Sequence, residues 1–248
     1  MRGFAVITDF FCYDQLQADF TYNFVILTPM SDFEQLEPLR DVPQTKRGHE
    51  RCLALLLSAN RLFLERGYDA VSLDDIVNHA GGSKASIYKY FGNKEGLFTA
   101  ICDYRREQFF KDISLPFTQA GKDLRSYLID TLISFYQHII QPENAAFLRL
   151  ILEQSQRNTE LAIYIHEQGP KEIQQSLAQA LQLAHDQQQI FCQNPVYSAQ
   201  MYFGILRNLE WRVLLGLPLP HPEENIDQET LKYINYCVDV FLDGHQKR

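Results

Sequence analysis

The sequence predicts an all-α protein, and three observations carry that reading. From about Gly48 onward apolar residues recur at helical spacing. No strand-type alternation persists after residue 45. Prolines and glycines fall where helical stretches begin and end, not inside them. With 248 residues and 46% hydrophobic content, the chain is long enough to bury a substantial core as one or two domains.

The elements follow in chain order. Residues 1–29 are rich in aromatics without a helical period, and Pro38 and Pro43 break the acidic stretch that opens at Met30. Two readings stand for 1–29: a tail without stable order, upstream of a start at Met30, or an extra strand or partner-binding arm. Residues 1–45 are set apart as an N-terminal extension expected to be poorly ordered. Cys52, Leu55, Leu56, Ala59, Leu62 and Phe63 form the apolar stripe of a first helix, which Gly67 ends. Ser72 caps a short helix over 73–80, with Asp75 completing a capping-box pattern and Asp74 and Asp75 complementing the positive helix end. After Gly81-Gly82, Ser83 caps the next helix, which stops at Gly92, and Lys94-Glu95 opens a fourth that runs to about Phe110. Further helices are expected at 122–140, 143–156, 159–168, 171–188, 195–215 and 228–244. Pro142, Pro170 and Pro195 sit at helix starts, where a missing N–H costs nothing. Gly216 with Pro218, Pro220 and Pro222 reads as a stiff linker.

Two short helices meeting at a glycine turn, the second bearing Lys84, Ser86, Tyr88, Lys89 and Tyr90, are the pattern of a helix-turn-helix DNA reader. Ile87 and Phe91 can pack against Ile76, Ala80 and Phe63, which turns Lys84, Ser86, Lys89 and Tyr90 outward. Ammonium groups, hydroxyls and phenols on such a helix suit a major groove. Ser72, Ser83 and Lys94 lie at helix starts, where free N–H groups favour phosphates. The charge distribution agrees. The chain carries a net −8, but residues 46–95 hold eight Lys/Arg against six Asp/Glu, so only this segment is positive.

The stretch FLERGYDAVSLDDIVNHAGGSKASIYKYFGNKEGLFTAI resembles the DNA-binding domain of the TetR family of bacterial transcriptional regulators. Phe63, Gly67, Ile76, Ala80, Gly81, Ser83, Tyr88, Phe91, Lys94 and Leu97 all fall at the family's spacing. The resemblance covers about 50 residues, from Arg51 to Ile101. TELAIYIHEQGPKEIQQSLAQAL and YFGILRNLEWRVLLGLPLP more weakly resemble the AcrR/AefR-like branch. The resemblance implies a three-helix DNA-binding domain (46–95) joined to a larger helical ligand-binding and dimerisation domain (96–248). It implies Lys84, Tyr88, Lys89, Tyr90 and Lys94 as DNA contacts. One departure is Gly82, where the family commonly has an apolar residue under the turn; a second glycine should loosen it.

The resemblance further implies a homodimer through the last two long helices, about 195–215 and 228–244. Tyr202, Ile205, Leu206, Leu209 and Val213 on one, and Leu231, Ile234, Cys237, Val238, Phe241 and Leu242 on the other, are the apolar positions expected to pair. A dimer also follows from the few base contacts one short helix makes, since two half-sites on palindromic DNA double the discrimination. Family pockets lie among the middle helices, which makes Phe135, Tyr136, Phe147, Ile151, Tyr164, Phe203 and Trp211 candidates for a small hydrophobic effector. His138, Glu153, Gln154 and Arg207 are polar candidates to orient it.

Other chemistry is thin. The seven His and five scattered Cys fall at no metal spacing, and no nucleophile-elbow, Walker or dinucleotide motif occurs, so neither enzyme activity nor a cofactor is expected. No apolar run approaches the ~20 residues of a membrane span. Asp9, Asp14 and Asp19 interrupt any leader-like stretch, so a cytoplasmic protein is expected. The most direct functional reading is a homodimeric repressor released from a palindromic operator by a hydrophobic ligand. The alternative is a protein of the same fold that acts mainly through a protein partner, with DNA as co-ligand.

Overall fold

Local capping rules set the helix boundaries. A computed structural model describes residues 43, 45–112, 123–217 and 226–246. Among them the regular elements are all helical: α1 (Lys46–Arg66), α2 (Leu73–Ala80), α3 (Lys84–Phe91), α4 (Lys94–Asp112), α5 (Leu124–Ile140), α6 (Pro142–Ser155), α7 (Thr159–Gln168), α8 (Pro170–Asp186), α9 (Pro195–Phe203), a 3-10 turn over Gly204–Leu206, α10 (Arg207–Leu214) and α11 (Gln228–Asp243). Thr45, Ser72, Ser83, Asp123, Asn158, Asn194 and Asp227 each accept a backbone N–H from the first turn that follows. Proline opens α6, α8 and α9, as expected. The readings for residues 1–29 and for the proline linker after Leu217 lie outside the described residues.

Two cores organise the fold. The first joins Leu55, Ala59, Leu62 and Phe63 of α1 to Ile76 of α2, Ile87 and Phe91 of α3, and Leu97, Phe98 and Ile101 of α4. It continues into Phe147 and Leu150 of α6 and Leu161 of α7. The packing of Ile87 and Phe91 on α1 and α2 is thus as expected. The second core joins α5, α8, α9 and α11 through Leu128, Leu132, Tyr136, Leu181, Tyr202, Ile234, Val238 and Phe241. Arg125 of α5 clamps α11 with a bidentate pair to Asp239, at 2.7 and 3.1 Å.

One expected helix is broken. The span 195–215 becomes α9, the turn at Gly204–Leu206, and α10. Glycine is a poor helix interior residue, and the chain tightens to 3-10 where Gly204 stands. The residues expected to pair between subunits are also placed differently. Tyr202, Leu206, Val213, Ile234, Val238 and Phe241 are buried within the subunit's own core. The exposed apolar side chains on these helices are Val196, Tyr197 and Met201 of α9, Trp211 of α10 with Leu215 just beyond its end, and Tyr233, Tyr236 and Val240 of α11. A helix with apolar residues on both faces presents two stripes, and the stripe that looks stronger in sequence is the one the monomer core takes.

Candidate nucleic-acid interface and effector cavity

The first site is the outer face of α3. Gly81 ends α2 at φ 69°, a left-handed conformation that glycine adopts without steric cost, and this turns the chain into Ser83. Gly82 is not in that region. A Cβ built there would lie 3.9 Å from Leu55 Cδ2, an ordinary contact, so an apolar side chain could pack under the turn as the family pattern implies. Ser83 Oγ accepts from Ser86 N at 3.3 Å and lies 3.2 Å from Ser86 Oγ. Ser72 and Asp75 form the complete capping box of α2, with Ser72 N donating to Asp75 Oδ2 at 2.8 Å. The Ser72 hydroxyl and amide hold the Asp75 carboxyl below the ordinary carboxylate range.

Of the residues assigned to DNA, Lys84, Tyr88 and Lys89 are exposed on α3, with Tyr88 at 52%. Ser72 and Ser83 are exposed and Ser86 is partly so. Ala85, which sequence reasoning passed over, is exposed beside Lys84; its methyl suits contact with a thymine methyl. Tyr90 requires a correction: it is buried at 8%, three residues after Ile87 on the inward face. Its ring lies edge-on to Phe91 at 6.4 Å, and its hydroxyl stands close to Gly48 at the start of α1. Lys89 reaches over that ring at 5.4 Å.

Lys94 is half-buried, not free at a helix start. Its ammonium donates to Tyr68 O at 2.6 Å and lies 4.2 Å above the Tyr68 ring. Desolvation pushes its pKa down. Lys94 therefore fastens the start of α4 to the α1–α2 connection. Lys84 is also engaged, in an ion pair at 2.8 Å with Asp74 on α2. That pair puts a carboxylate on the same surface and was not foreseen.

The second site is a cavity of about 460 Å³ walled by α4, α5, α6, α7, the start of α8, Phe203 at the end of α9, and Arg207 and Glu210 of α10. Seven of the eleven effector candidates line it: Phe135, His138, Phe147, Ile151, Tyr164, Phe203 and Arg207. Four do not. Tyr136 is 2% exposed and continues the Leu128–Leu132 stripe into the second core. Trp211 is 58% exposed, on the outer face of α10. Glu153 and Gln154 are absent from the lining as well; Glu153 pairs with Arg157, and Gln154 is buried with its amide nitrogen unpaired.

Sequence reasoning missed the wall that α4 supplies. Asp103, Arg105, Arg106 and Phe109 all face the cavity. Phe109 lies 4.3 Å from the His138 ring and 6.2 Å from Phe135, and Phe135 lies 6.1 Å from Phe203. Arg105 donates to Glu143 at 2.6 Å and to Asn144 at 2.8 Å. Tyr164 donates to the Asp103 carboxylate at 2.9 Å, and burial pushes the Asp103 pKa up. The signal for α4 was weak because this helix has no single apolar stripe. Its Leu97–Ile101 half packs in the first core, while its later half mixes charges and phenylalanines along the cavity.

The cavity wall packs against the core beneath the helix-turn-helix. Phe98 packs on Phe63 and Tyr68 and also on Phe147, a cavity wall residue, with centroids 5.4 to 6.2 Å apart. The α6–α7 corner is tied to the helix-turn-helix region as well, Arg157 to Asp69 and Asn158 to Glu95.

With this geometry in place, comparison with known proteins gives its family. Residues 55–101 match the pattern described as bacterial regulatory proteins, tetR family. Residues 126–246 match the pattern described as AefR-like transcriptional repressor, C-terminal domain. The chain belongs to the TetR family of transcriptional regulators. It is 43% identical over 77 residues to the HTH-type transcriptional repressor ComR of Escherichia coli K12, which covers 31% of this chain and 37% of ComR. It is 28% identical over 91 residues to the HTH-type transcriptional activator FasR of Mycolicibacterium smegmatis, covering 36% of this chain and 42% of FasR. The matches thus span about two fifths of these relatives' length. Among solved structures, the Flavonoid-responsive Regulator FrrA superposes with a TM-score of 0.69 at 29% identity, over 81% of this chain and 99% of FrrA. Among the described residues no helix is long and apolar enough to cross a membrane.

Proposed function

We propose that the chain is a homodimeric, cytoplasmic repressor that binds a palindromic DNA operator and is released by a small hydrophobic effector. The observation that carries this is the outer face of α3. Lys84, Ala85, Tyr88 and Lys89 are exposed together on a capped helix whose other side is locked by Ile87, Tyr90 and Phe91. Such a face can enter a major groove, with base edges read by Lys89 and Tyr88. The N-termini of α2 and α3, with Ser72 and Ser83, then approach phosphates. The sign of regulation is taken from the repressor description of the matched C-terminal pattern and of ComR.

Release follows from what the cavity touches. An effector between α4 and the α6–α7 pair would press on Phe147 and on the later half of α4. Both connect through Phe98 and the Arg157–Asp69 tie to the part that holds α3. In a dimer a small tilt at each α3 changes the spacing of the two reading helices, which DNA tolerates poorly. The description of FrrA as flavonoid-responsive fits a cavity edged by Phe109, Phe135 and Phe203. The dimer face would be built on the exposed apolar side chains of Tyr197, Met201, Tyr236 and Val240.

Fluorescence anisotropy with the DNA upstream of the gene tests the reading. Wild-type protein should prefer that DNA to random DNA at physiological salt. Lys89→Ala should lose preference, whereas removing a phosphate contact should weaken all sequences alike. Equal affinity for both DNAs would defeat the proposal.

A further inference from the structure

We infer that the cavity takes an effector with a single carboxylate head on an apolar body, and that Arg106 is the residue that reads the head. This rests on the reading of the cavity as an effector site and narrows it to one chemical class.

The argument is an inventory of hydrogen-bonding capacity. Asp103, the buried acid of the wall, already receives Tyr164 on both oxygens and Arg106 Nη1 at 3.2 Å. Arg105 uses both terminal nitrogens, Nη1 on Asn60 and Glu143 and Nη2 on Asn144, and lies over the Phe147 ring at 4.5 Å, so it presents no two-pronged edge. Asn144 uses its oxygen on Arg105 and its amide on His138 O. Glu210 is tied to Arg207. The acceptors at the buried end are thus taken, and what remains is donor capacity.

The half-buried part of that capacity sits on Arg106, since the other partly engaged arginine of the lining, Arg207, has a side chain 70% exposed. Arg106 Nη1 holds Asp103 and Gln168, at 3.2 and 3.3 Å. Its Nε and Nη2 find no acceptor among the described residues, and the side chain is 25% exposed. Nε and Nη2 form one edge of the planar guanidinium, a two-pronged fork that matches a carboxylate. The same molecule uses this edge that way: Arg125 gives Nε and Nη2 to the two oxygens of Asp239. Arg106 is held by its other nitrogen, so its fork is fixed before a ligand arrives. The phenylalanine edges of α4, α5 and α9 then cover the apolar body.

The test is calorimetric titration of the full chain near neutral pH with two matched pairs, 2-naphthoate with 2-naphthylmethanol and octanoate with 1-octanol. At least one acid should bind about tenfold or more tightly than its alcohol, the size of one charge-assisted bond. Arg106→Met should remove that preference and leave alcohol binding in place, which also shows that the variant is folded. Arg106→Lys should keep part of the preference, because charge remains and the fork does not. Phe135→Ala should weaken acid and alcohol together. If members of the pairs bind but neither acid is preferred over its alcohol, or Arg106→Met keeps the preference, the inference is overturned while the effector cavity stands. If no member of either pair binds, the effector-cavity reading falls and the inference with it.

Discussion

Lys89 and Tyr90 are adjacent on an eight-residue helix and have opposite fates. Each residue of an α-helix turns by about 100°, so the inward pair Ile87 and Phe91 fixes the outward set only to within one position. Tyr90 falls on the border, and its ring finds Phe91 and the space beside Gly48. That is why Lys84, Tyr88 and Lys89 were legible in sequence and the tyrosine next to them was not. Asp74 was illegible for a different reason: its pairing with Lys84 joins two helices across the turn. Asp74→Asn should strengthen binding to random DNA and steepen the salt dependence by up to about one unit in log–log slope; an unchanged slope would mean that Lys84 meets no phosphate. Gly82 needs no left-handed freedom, and a methyl there has room. Gly82→Ala should therefore stabilise the fold by about 0.4–1 kcal/mol through the unfolded chain, read as a higher thermal midpoint. A lower midpoint would mean that the turn relies on glycine after all.

At the scale of elements, capping rules located most helix starts in advance, because a cap is a local event between a side chain and the next turn. The capping box of α2 also carries a pH dependence. The Asp75 carboxyl is lowered by its Ser72 bonds, so its contribution is complete above the ordinary carboxylate pKa of about 4 and is lost as pH falls through the lower folded value. Thermal melts from neutral to acid pH should fall less steeply in Asp75→Asn than in the wild type across that window. Equal slopes would mean that other carboxylates dominate. α4 resisted sequence reading because it serves two environments at once, and a helix with two partners has no single stripe. The break at Gly204 was passed over because the apolar period continues through it.

At the scale of the whole molecule, family and fold were legible, while several residues expected to pair between subunits are buried within the chain's own core. Tyr202, Ile234, Val238 and Phe241 bind α9 and α11 to their own subunit. The exposed Tyr197, Met201, Tyr236 and Val240 are the side chains proposed to meet a second copy. Met201→Lys with Tyr236→Lys should therefore yield a monomer by sedimentation with helicity preserved, and a persistent dimer would place the interface elsewhere. Cavity residues were only partly legible, because the cavity is assembled from seven helices, and no sequence spacing records it. The central claim is that two copies of the α3 face read one operator. Footprinting of the wild-type protein on the DNA upstream of its gene tests this most directly. The expected result is a symmetric protected region whose two halves are centred about one helical turn, or a multiple of it, apart, lost in Lys89→Ala. No protection beyond that on random DNA, or a footprint unaffected by Lys89→Ala, would contradict it.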